Sequence, residues 1–71
     1  MITRIGIVAG EIWEYLDKGE GSVSLEETVK GVDQTRDAVL MSIGWLAREG
    51  HVVIKETPDG NMVKLVGEGR R

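Results

Sequence analysis

The sequence predicts an α+β fold of three helices, a short strand and a C-terminal β-hairpin, in one domain spanning residues 1–71. Three observations predict it. Ile5, Val8, Ala9, Ile12 and Leu16 recur at helical spacing, and so do Val39, Ile43 and Leu46 further on. Two short apolar runs, "HVVIKE" and "MVKLV", then flank Pro58-Asp59-Gly60. Proline fixes φ and glycine supplies positive φ, so the chain is expected to reverse there and pair the two runs.

Taken in order, residues 4 to 18 form the first helix. Trp13 and Tyr15 flank its apolar stripe, while Glu11 and Glu14 lie away from it. Gly19, Glu20 and Gly21 end it. Ser22 to Ser24 is a short extended link with Val23 pointing inward. "SLEE" is a capping box: the Ser24 hydroxyl can accept from the Glu27 N–H, and Glu27 can reach back. The second helix runs from Leu25 to about Lys30 or Val32 and buries Leu25, Val29 and Val32. Asp33 and Thr35 can each cap the third helix. Thr35 is favoured because the apolar stripe begins four residues later. Val39, Ile43 and Leu46 form that stripe, Ala47 lies at its edge, and Gly50 ends the helix as a C′ glycine. The tail "GEGRR", with Val66 before it, is expected to fray.

Helix, short strand, helix, helix and hairpin is the topology of a winged helix-turn-helix. The spacing around the third helix sharpens this reading. Such domains commonly carry a small or branched apolar residue, another four on, leucine seven on and glycine eleven on. Val39, Ile43, Leu46 and Gly50 reproduce those offsets.

Composition bounds the function. A chain of 71 residues allows one modest core, and oligomerisation is a common way for so small a domain to gain stability. It begins with Met1 and is expected to be a whole small protein. The absence of cysteine removes disulfides and thiolate metal sites and fits a reducing compartment. No apolar run approaches the roughly 18 residues that span a bilayer, and the stretch from Ile5 to Ala9 lacks the charged start and cleavage site of a signal peptide. A cytoplasmic location is therefore expected. The net charge of −3 counts against a freestanding nucleic-acid binder, which is usually basic on at least one face. No phosphate-binding loop, nucleophile triad or metal motif occurs, so no enzyme activity, cofactor, metal or small-molecule ligand is expected. The single histidine, His51, reads as a surface or edge residue, because a metal or catalytic role needs convergent partners. Glu11, Glu14 and Asp17 read as a solvated helix face.

Two strings go further than the topology. "AGEIWEYL" in the first helix and "GWLARE" in the third resemble a family of small bacterial and archaeal winged helix-turn-helix proteins of unknown function. The likeness covers roughly positions 5 to 66. It implies the fold and suggests homodimers, and it brings no ligand, activity or catalytic residue.

The exposed side of the third helix decides between partners. In a helix-turn-helix this face enters the major groove, where Arg, Lys, Asn, Gln, Ser or Thr read bases. At about 100° per residue, the side opposite Val39, Ile43 and Leu46 collects Asp37, Met41, Gly44, Trp45 and Arg48, with Leu40 on the margin. That is one cation, one acid and two large apolar groups. A DNA role would rest on Thr35 and Arg36, with Gln34 beside them, and on Lys55, Asn61 and Lys64 of the wing, offset by Glu56 and Asp59.

Met41 and Trp45 can instead be core, packed under the wing or against the first helix. Gly44 would then serve close helix packing, for example against Ala9-Gly10, and Arg48 would pair with a first-helix carboxylate. The sharper expectation is a protein-binding surface built from Leu40, Met41, Gly44, Trp45 and Arg48, since tryptophan and arginine are enriched in interface hot spots. The protein then acts as a non-enzymatic regulatory or adaptor module, as a homodimer or on another protein. A DNA-binding transcriptional regulator is the alternative, and a structural module inside a larger assembly the third reading.

Overall fold

A computed structural model of the chain describes residues 2–19 and 22–66. The element order is α1 (Ile2–Lys18), β1 (Ser22–Ser24), α2 (Leu25–Gly31), α3 (Arg36–Arg48), β2 (Val52–Thr57) and β3 (Gly60–Leu65). The three strands form one antiparallel sheet in the order β1-β3-β2. This is the winged helix-turn-helix architecture the sequence predicts, with the first helix starting two residues earlier. None of the described helices is long and apolar enough to cross a membrane.

The caps explain where the helices begin and end. Ser24 Oγ accepts from the Glu27 N–H at 3.1 Å, as expected of the first half of a capping box. The second half does not form. The Ser24 carbonyl instead accepts from the Thr28 hydroxyl at 2.9 Å. Thr35 caps α3, its Oγ1 accepting from the Ala38 N–H at 3.1 Å. Gly50 follows the end of α3 with φ of +83°, a left-handed conformation that disfavours any side chain. Its neighbour His51 donates its N–H to the Leu46 carbonyl, closing the last turn.

The hairpin turns on Pro58-Asp59, with Thr57 opposite Gly60, whose φ is +123°. The Asp59 N–H donates to Thr57 Oγ1. Of the tail expected to fray, only Val66 lies among the described residues, and its N–H donates to the His51 carbonyl. Arg70 and Arg71 lie outside them.

The core sits where α1 crosses α3 above the inner face of the sheet. Val8, Ala9, Ile12 and Leu16 of α1 meet Ala38, Val39, Ile43 and Leu46 of α3, with Val32, Val52, Val63 and Leu65 closing the cluster. Val23, Leu25, Val29 and Ala47 pack at its margin. Among the described residues two polar ones are also fully buried, Thr28 and Ser42. Each has a partner, as buried hydroxyls require. Ser42 Oγ donates to the Ile5 carbonyl at 3.3 Å, which ties α3 to α1.

Candidate functional site

The buried side of α3 fixes what its other side presents. Ala38, Val39, Ser42, Ile43 and Leu46 face the core. At about 100° per residue, Asp37, Met41, Gly44 and Arg48 then fall within about 60° of one another on the far side. All four are exposed. They form a straight stripe at the i, i+4, i+7, i+11 spacing of a helix-packing seam. Leu40, half-buried, borders the stripe on one flank. Trp45 borders it on the flank nearer α1.

Trp45 and Met41 are surface residues, 44% and 43% exposed. The core placement weighed for them from the sequence does not hold. Trp45 lies along an open groove lined by Gly6, Ala9, Gly10, Trp13 and His51. Its ring and that of His51 are 6.4 Å apart and tilted by 34°. Gly44 does not serve packing within the chain either. A Cβ built there meets nothing within 4 Å, and the same is true at Gly10. The expected approach of Gly44 to Ala9-Gly10 is therefore corrected: α1 and α3 meet through the apolar core and the Ser42 hydrogen bond, not through Gly44. Arg48 forms no ion pair among the described residues, where the one ion pair is Arg36–Glu26.

The residues of the DNA reading are otherwise engaged or divided. Thr35 Oγ1 is occupied as the helix cap. Arg36 makes a fork with Glu26, Nη1 to Oε1 and Nη2 to Oε2, both at 3.1 Å. The hydrogen bond and charge of Arg36 hold the Glu26 carboxyl below its ordinary pKa, and Glu26 raises that of Arg36 in return. The pair is open to solvent, so it adds little to stability, but it offsets a cation that a phosphate would need. The Gln34 side-chain amide donates to Glu11 Oε1 at 3.1 Å.

In the wing, Val53 lies opposite Lys64 and Lys55 opposite Met62, while Asn61 faces Glu56. Side chains alternate along a strand, so Lys55 and Lys64 share the outer face as a diagonal pair and Asn61 points to the other. Among the described residues no group of three or more His, Asp or Glu is placed to hold a metal.

Sequence reasoning missed three structural residues, one on α3 and two on α2. Ser42 lies in the buried arc by angle, between Ala38 and Leu46, and its position on a helical wheel was the available signal. Thr28 is hidden in the same way on α2. Gly31 carries no signal at all: the Tyr15 ring lies over it, and the Tyr15 hydroxyl donates to the Glu27 carbonyl at 3.3 Å.

Known proteins resemble this chain in sequence and in fold. An uncharacterized protein of Methanocaldococcus jannaschii is 35% identical over 63 residues, which cover 87% of this chain and 90% of the relative. A protein of Bacteroides thetaiotaomicron, solved by solution NMR, superposes with a TM-score of 0.81 at 26% identity, covering 96% of this chain and 82% of that one. The winged helix-turn-helix domain family DUF2582 matches over residues 1–65. The stripe of α3, the wing and the caps thus sit on a scaffold common to archaeal and bacterial relatives, and the chain belongs to this winged helix-turn-helix family of unknown function.

Proposed function

We propose that the protein is a cytoplasmic, non-enzymatic regulatory or adaptor module that works through protein contacts made by the outer face of α3, as a homodimer. One observation carries the reading. The face that a DNA-binding relative would lay in the major groove presents Met41, Gly44 and Trp45, with Arg48 its one cation and Asp37 an opposing acid. Phosphate contacts supply most non-specific DNA affinity and come from several cations. Exposed apolar groups beside an arginine are what protein interfaces use. The absence of cysteine suits a reducing compartment.

The second reading, a DNA-binding transcriptional regulator, draws support from the shared outer face of Lys55 and Lys64. Against it stand the pairing of Arg36 with Glu26 and the net charge of −3. A fluorescence-anisotropy titration of labelled non-specific duplex separates the two. The expected result is no saturation below roughly 100 µM protein at about 50 mM salt, the weak end of non-specific binding. Tighter binding that falls steeply as salt rises would establish the DNA reading instead.

A further inference from the structure

We infer that the groove between α1 and α3 is a binding site for a small quaternary-ammonium compound, seated against Trp13, Trp45 and His51. The inference goes beyond the protein-contact reading and does not rest on it. The chain has two tryptophans, and both line this one groove of about 270 Å³, Trp13 from α1 and Trp45 from α3. His51 stands beside Trp45, their ring centroids 6.4 Å apart. Aromatic side chains from three places in the sequence thus border one void. Its α1 side is unfilled, because a Cβ built at Gly6 or at Gly10 meets nothing within 4 Å.

The charge around the groove decides the guest. On α1 the lining arc runs from Ala9 through Trp13 and Gly6 to Gly10, about 100° wide. The charged residue on that arc is Asp17, one turn beyond Trp13. On α3 the arc runs from Trp45 to Leu46, again about 100°, and its charged residue is Glu49, one turn beyond Trp45. Both acids are exposed, and neither forms an ion pair among the described residues. No lysine or arginine falls on either arc. The C-terminal end of α3, whose dipole attracts positive charge, borders the same groove.

Ring faces attract a cation through their quadrupole, and nearby carboxylates add to the attraction. The remaining lining is Gly6, Ala9, Gly10 and Leu46, which offers few partners for N–H donors. A primary ammonium or a guanidinium would leave donors unmatched there, whereas a quaternary ammonium has none to lose. An anion is repelled by Asp17 and Glu49, and a neutral guest makes no use of them. The volume lies just below the roughly 300–1,000 Å³ of drug-sized pockets, so the occupant is a small free compound rather than an extended chain.

Choline and its neutral isostere 3,3-dimethyl-1-butanol test this on the full chain at constant ionic strength, followed by the indole N–H resonances of Trp13 and Trp45. Choline is expected to shift both saturably, with a Kd on the order of 1 mM. The isostere is expected to bind about tenfold more weakly or worse. Glu49→Gln should weaken choline severalfold and leave the isostere unchanged. Gly10→Leu provides a second arm. Its side chain has open space, so the fold is retained, and it fills the groove, so choline binding is lost.

A choline titration that moves neither indole overturns the inference. So does an isostere bound as tightly as choline, or choline binding that survives Gly10→Leu. A peptide carrying trimethyl-lysine bound more than about tenfold tighter than choline would also overturn it, since the occupant would then be a modified chain.

Discussion

Ile12→Ala is expected to cost about 2–5 kcal/mol of unfolding free energy, the range for truncating a buried isoleucine. Ile12 is fully buried, and it belongs to the one core cluster that α1 forms with α3 and the sheet. A rigid helix and a rigid sheet border it, so the cavity cannot collapse readily and the loss falls toward the upper end of the range. A chain of this size has roughly 4–11 kcal/mol in total, so one substitution removes a large share. A thermal melt checks this: the midpoint should drop by at least about 10 °C. A drop of only a few degrees would mean that α1 is not the central element of the core.

Gly31→Ala is expected to cost about 1–3 kcal/mol, although Gly31 is itself exposed. An alanine in an exposed helix normally gains roughly 1 kcal/mol over glycine. Here the sign reverses. A Cβ at Gly31 would lie 2.7 Å from the Tyr15 hydroxyl oxygen and closer still to ring carbons Cε1 and Cζ. The ring must swing away, which breaks its hydrogen bond to the Glu27 carbonyl and uncovers the margin of the core.

Gly44→Ala provides the contrast. With nothing within 4 Å of the new Cβ, it should raise monomer stability by about 0.5–1 kcal/mol. Repeating Gly31→Ala in a Tyr15→Ala background should make it neutral or favourable, since the obstruction is gone. Urea midpoints of the four proteins test this directly. A Gly31→Ala penalty that persists without the Tyr15 ring would place its cause in the backbone.

The two glycines show what the sequence can and cannot express. Helical spacing predicts the buried stripes of α1 and α3, Thr35 predicts where α3 begins, and Gly50 predicts where it ends, because each of these is decided by neighbours a few residues apart. Whether a helical glycine is needed is decided by what lies across from it. Gly31 is required by a tyrosine sixteen positions earlier in the chain, and Gly44 is required by nothing in its own chain.

Trp45 shows the same limit. Ala38 lies only about 20° from it around the helix, yet Ala38 is buried and Trp45 is not. Angle places both toward α1, and the position along the axis relative to α1 separates them. Ser42 and Thr28 escaped a hydrophobic pattern for a different reason. Their burial is set by a carbonyl waiting in range, the Ile5 carbonyl for Ser42 and the Ser24 carbonyl for Thr28. The candidate surface was legible residue by residue, because five exposed or half-exposed positions on one helix follow from its period alone.

The claim that the outer face of α3 meets protein rather than DNA is tested most directly by the indole N–H resonance of Trp45, followed against protein concentration and against added duplex at low salt. The expected result is a shift with protein concentration over the micromolar to millimolar range, shared by the backbone amides of residues 37–48, and none with duplex. The contradicting result is an indole resonance fixed in concentration that moves with duplex, together with the amides of Lys55 and Lys64.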